Sequence, residues 1–200
     1  MKVNFKFLTA MAVAVLVVLP TVAEAGSSHS TVNKSIRIGD NSTTGEVDSV
    51  NGSIRIGANS FVKSVESVNG SIKLAKDVAV EGNVEAVNGG ITLGPGCEVG
   101  GDVETVNGSI HLKDVRVSSD VETVNGQIRI LDRSEVSGNV RVQKPGGWNF
   151  NQRRKPVHVE IGKDVVVHGD LIFEHAVELE LHATARVGEI IGDEVTMVGN

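Results

Sequence analysis

Five carboxylates recur in this sequence at nearly constant spacing: Asp48, Glu66, Glu85, Glu104 and Glu122. If each repeat forms one layer of a stacked fold, these residues make a single outward column about 5 Å apart from layer to layer. Clustered oxygens of this kind suit a hard cation such as calcium. Acid clusters beside Lys or Arg are also used by polysaccharide-cleaving β-helix enzymes. The plainer use of the column is a solvated acidic face that blocks lateral aggregation, and that use is expected here. A parallel column, Arg55, Lys73, Thr92, His111 and Arg129, is mostly basic and offsets part of the repulsion.

Other chemistry is sparse. The six histidines are His29, His111, His158, His168, His175 and His182; among them His168 and His175 lie close in sequence to Asp170 and Glu174, on alternating strands. That group follows no metal-ligand spacing, so ordinary surface histidines and no metal site are expected. There is no Gly-x-Ser-x-Gly element, no reactive Cys–His pairing and no phosphate-cradling glycine loop. No catalytic residue and no cofactor are therefore expected. Aromatic residues make up 3% of the chain, too few for a sugar-stacking cleft or a single-stranded nucleic-acid platform. A net charge of −6 also disfavours polyanionic partners, nucleic acid included.

One segment stands apart. Residues 143–156 carry no period, two Pro and two Gly, and read as a protruding loop. Trp148 and Phe150 sit there beside Arg153, Arg154 and Lys155, a basic-aromatic knob on an otherwise acidic chain. Loops on rigid scaffolds often carry function, and Trp with Arg is a common interface anchor. These five residues are the candidate interaction site. Trp148 folding back to cover the scaffold flank is the competing use.

The element that must position all of these is a repeat. Val-Asn-Gly-x-Ile-x-(Ile/Leu) begins at Val50, Val68, Val87, Val106 and Val124, with a degenerate copy at Val32. The Asn residues from Asn33 to Asn125 are separated by 18, 18, 19, 19 and 18 positions. Each copy follows a Val-x-x step, so one unit is two or three short strands joined at Asn-Gly corners, where both residues tolerate positive φ. A meander would alternate strand direction, whereas a solenoid would lay every unit on the last. Identical residues at a fixed period favour the solenoid, with Val47, Val65, Val84, Val103 and Val121 in one column and Ile54, Ile72, Ile91, Ile110 and Ile128 in another. The expected fold is an all-β, single-domain parallel β-helix of ~18–19 residues per coil. Asn51, Asn69, Asn88, Asn107 and Asn125 should form a structural ladder of amides bonded between coils, satisfying groups that would otherwise be buried without partners.

The segments follow from this pattern. Residues 1–25 read as a signal peptide: Lys2 and Lys6, an apolar run from Leu8 to Leu19, and Ala23-Glu24-Ala25 before a cut between Ala25 and Gly26. The apolar run is too short for a membrane span, which takes ~20 residues as a helix. Without this segment the chain carries a net −7. Residues 26–142 are the Val-Asn-Gly solenoid. Residues 157–200 should continue it, because Val-x-Gly-(Asn/Asp)-(Val/Leu) occurs at Val80, Val136 and Val167, on both sides of the loop. The only thiol after the signal is Cys97, either a small buried hydrophobe or an intermolecular disulfide partner.

The Val-Asn-Gly-x-Ile repeats behind an export signal resemble a family of bacterial β-solenoid proteins described as adhesins, over roughly residues 32–142. The C-terminal stretch with Val167-His168-Gly169-Asp170-Leu171 is similar to bactofilins, polymer-forming cytoskeletal β-helices that lack such a signal. The resemblance implies a right-handed β-helix and brings no catalytic residues. The expected function is an exported, non-enzymatic structural or adhesin-like module, periplasmic or at the cell surface. It would present its loop and charged faces to a protein or cell-envelope component. The alternatives are a filament built through uncapped terminal coils and a polysaccharide-active enzyme.

Overall fold

Short β-branched runs between Gly, Asn and Asp corners allow three strands per turn, and that is the architecture observed. The structure is a computed structural model and describes residues 26–144 and 155–199. All described strands pair in parallel, in one 14-stranded and one 9-stranded sheet. Among the described residues there is no helix, and hence none long and apolar enough to cross a membrane. The chain is an all-β parallel solenoid of about eight turns. At ~4.8 Å per turn the stack is about 40 Å long.

Three faces enclose the core. The first is built from two-residue strands, among them Ala79–Val80, Glu98–Val99, Arg116–Val117, Glu135–Val136 and Val166–Val167. The second holds Val84–Ala86, Val103–Thr105, Val121–Thr123, Val140–Val142, Leu171–Phe173 and Ile190–Ile191. In two early coils, Thr43–Ser49 and Phe61–Ser67 run through both faces as single strands. The third face is the 9-stranded sheet, from Ile36–Ile38 to Val195–Met197. In the stretch 185–191, strand pairing is confined to Ile190–Ile191 and an isolated bridge from Arg186 to Val166.

Like stacks on like, as the period requires. Val47, Val65, Val84, Val103 and Val121 are successive partners, as are Ile54, Ile72, Ile91, Ile110 and Ile128. All ten are fully buried. A buried Val or Ile contributes about 1.5–3 kcal/mol relative to an exposed one, and no coil could bury its row alone. Cys97 belongs to this interior, at 0% exposure, with its Sγ 2.9 Å from the Ala75 carbonyl. The thiol is a small buried core group, which excludes the disulfide to another chain.

The change of period between 18 and 19 has a local cause. Phe61 pairs with Ala79, 18 positions on, but Val65 pairs with Val84, 19 on. The first corner has gained one residue between those pairs. Such changes are confined to corners, so strand alternation survives them.

Candidate interaction site

The Asn-Gly corner joins the second face to the third. Asn51 Nδ2 donates to Asn33 Oδ1 at 3.0 Å, Asn69 to Asn51 at 2.9 Å, Asn88 to Asn69 at 3.0 Å, Asn107 to Asn88 at 2.9 Å and Asn125 to Asn107 at 3.1 Å. The ladder exists as expected, but its amides are exposed on the outer edge of the corner, not buried. Glycine is required here by close approach rather than by positive φ. A Cβ on Gly108 would lie 2.1 Å from the Gly89 carbonyl oxygen, and one on Gly70 2.1 Å from that of Gly52. Left-handed backbone occurs instead at the third corner, at Asn41, Asn59, Asp77, Gly96, Asp114, Asp132 and Asp164, among others. Asn and Asp tolerate that conformation because their short side chains bond locally.

A second ladder runs along the first corner. Asn83 Oδ1 accepts the Asp102 amide at 3.0 Å, and Asp102 Oδ1 accepts that of Asp120 at 3.0 Å. Asn139 Oδ1 then accepts the Asp170 amide at 3.0 Å, and Asp170 Oδ1 that of Glu189 at 2.9 Å. These are the (Asn/Asp) positions of Val-x-Gly-(Asn/Asp)-(Val/Leu), which marked continuity in the sequence without revealing its role.

The segment between the Val140–Val142 and Val157–Ile161 strands is an insertion at the Asn-Gly corner. Ile128 pairs with Val159, 31 positions on, where the two preceding coils step by 19 and 18 and the next by 20. Trp148, Phe150, Arg153 and Arg154 lie outside the described residues; Lys155 is described and exposed. At its base the Lys144 amide donates to Glu174 Oε2 at 3.0 Å. Lys155, Pro156, His158 and His175 face Asn125 and Gln127 across an open cleft of about 590 Å³. The base of the insertion thus meets the end of the Asn ladder.

The carboxylate column lies on the second face in the expected register, with Asp48, Glu66, Glu85, Glu104 and Glu122 side by side. It is half-buried rather than a solvated face, and Glu122 is only 8% exposed. Burial first, then the adjacent carboxylates, pushes Glu66 up to about 7 and Glu104 up to about 8. Asp48 is raised for the same reasons. The column ends at Arg141, the partner of Glu122 in the ladder. Its Nε lies 3.2 Å from both Glu122 Oε1 and Asp120 Oδ2.

The basic column occupies the third face: Arg37, Arg55, Lys73, Thr92, His111 and Arg129 are successive register partners. It terminates in the opposite sense, with Arg129 Nε 2.5 Å from Glu160 Oε2. Acidic and basic faces meet along the Asn ladder.

The sequence-adjacent histidines do not converge. His168 Nε2 lies 2.7 Å from Glu135, while His175 Nε2 lies 3.2 Å from the Val124 carbonyl. Asp170 serves the first-corner ladder. Among the described residues the groups that gather as metal ligands could are His158, Glu160 and Glu180, a set that sequence reading missed because Glu180 lies one coil further on. The signal was present as the alternating patterns of 157–161 and 177–181. Comparison with protein-family models, curated proteins and solved structures finds no match to this chain.

Proposed function

We propose that this chain is an exported, non-enzymatic β-solenoid serving as a rigid structural or adhesin-like module. It holds the 143–156 insertion and its two oppositely charged faces toward a protein or cell-envelope partner, in the periplasm or at the surface. One observation carries the reading: the insertion leaves a scaffold that is bonded coil to coil on both sides of it. The Val140–Val142 strand pairs onward with Leu171–Phe173, and the Ile128–Leu131 strand with Val157–Ile161. A loop anchored in this way is displayed by a stiff frame. Export is supported by the basic, apolar and Ala-x-Ala order of residues 1–25, and the adhesin-like role by the repeat resemblance.

Negative-stain electron microscopy of the chain from Gly26 onward tests this. Discrete rods of about 40 Å are expected, along with an envelope partner whose capture is lost in Trp148→Ala while the fold persists. Turnover of an acidic polysaccharide, abolished by Glu85→Ala or Glu104→Ala, would overturn the non-enzymatic reading.

A second reading, bactofilin-like self-assembly, rests on the last described coil. Ile190, Ile191 and Met197 are 41, 44 and 56% exposed on strands that pair on one side only. Open strand edges with apolar side chains invite further pairing. Long filaments in the same images would select this reading.

A further inference from the structure

We propose that His158, Glu160 and Glu180 form a binding site for a divalent first-row transition metal, with zinc as the natural occupant, on the third face. The side-chain ligand atoms of the three residues lie within 4.8 Å of one another. Their placement follows from the sheet. His158 and Glu160 are two apart on one strand and so point to the same side, while Glu180 stands directly beside Glu160 on the next coil. His158 Nε2 and Glu180 Oε2 are 3.8 Å apart, too far for a hydrogen bond and close to the separation of two atoms bound to one cation.

The surrounding charges support a cation here. Glu178, beside His158 in register, adds a third carboxylate to the patch. Like charges directly opposite one another destabilise a sheet. Arg129 offsets part of this through its 2.5 Å contact with Glu160 Oε2. A carboxylate held through one oxygen by a guanidinium keeps its other oxygen available at a fixed orientation, which is how outer-shell partners position metal ligands. One neutral imidazole and two carboxylates carry a charge of −2, matching a divalent ion. The imidazole nitrogen selects zinc, cobalt or nickel over calcium, which takes oxygen ligands. Three protein ligands on an exposed face leave the remaining positions to water or to an incoming group.

Zinc titration of the purified untagged chain against a chromogenic chelator tests the assignment at pH 7.5. One zinc per chain is expected, insensitive to millimolar calcium and weakened about tenfold or more in His158→Ala and in Glu180→Gln. His182→Ala should bind like the parent chain. Far-ultraviolet circular dichroism checks that each variant keeps its fold. Absence of stoichiometric binding would overturn the site. So would affinity unchanged in both ligand variants, or displacement by calcium, which would mark only an acidic patch.

Discussion

The imidazole of His175 reaches back 51 positions to the backbone of Val124, with Nε2 3.2 Å from the carbonyl oxygen. In earlier coils the corresponding valine carbonyl accepts the next asparagine amide, as in Asn107 to Val87 and Asn125 to Val106, both at 2.8 Å. At Val124 the next coil has left the corner through the 143–156 insertion. A side chain from the coil beyond supplies the donor in its place. Because the acceptor is a carbonyl, Nε2 must carry the proton.

His175→Ala should therefore loosen this corner, at a cost of about 1 kcal/mol. That corresponds to a fall of about 2–4 °C in the melting temperature of a chain this size. Hydrogen exchange should quicken at Asn125 and Gln127 more than at Asn69. His175→Gln, which keeps an N–H donor, should recover part of the loss.

Gly108→Ala should destabilise by at least the 1–3 kcal/mol typical of overpacking, since its Cβ would meet backbone that is locked into the stack. Gly39→Ala is the control. Its Cβ would meet nothing nearer than Ser42 Oγ at 3.8 Å, so thermal denaturation should show little change or a small gain.

Stability should fall as pH rises. Glu66 and Glu104 hold their protons in the folded chain up to about 7 and about 8, against a usual value of 4.5. Between 4.5 and those values the folded state binds more protons than the unfolded one, so unfolding becomes easier with each step up. The melting temperature should be higher at pH 5.5 than at pH 8.5. Glu104→Gln, which cannot ionise, should narrow that difference chiefly by raising the value at pH 8.5.

Cys97 should be silent in the native chain. It is fully buried, and burial pushes its thiol pKa above the usual value. A thiol reagent should label it only as denaturant unfolds the chain, and oxidants should leave the native chain uncrosslinked. A disulfide-linked dimer on a non-reducing gel would contradict the placement.

The columns were legible in the sequence because a period states which residues stack. The Val47 and Ile54 columns, the asparagine ladder and the carboxylate row all fall in the expected register. A period does not state why a residue is needed. Gly52, Gly70, Gly89 and Gly108 read as turn formers, yet they are there because backbone passes too close for a Cβ. The left-handed corner was hidden because Asn59, Asp77 and Gly96 differ in type while sharing one conformation. His175 was hidden because its partner Val124 lies across the broken repeat. The His158–Glu160–Glu180 set was hidden because it joins two successive coils beyond the Val-Asn-Gly repeats, where no motif marks the register. Of the five candidate residues in the loop, only Lys155 falls among the described residues.

The elastic corners have a genetic consequence. Coils of 18, 19 and 20 residues all stack in register, so duplication or deletion of a whole unit leaves the inward and outward alternation of every other strand untouched. Rod length is then set by copy number, one ~4.8 Å increment at a time. A lineage could tune the reach of this protein by unequal recombination among its near-identical repeats without ever redesigning its core.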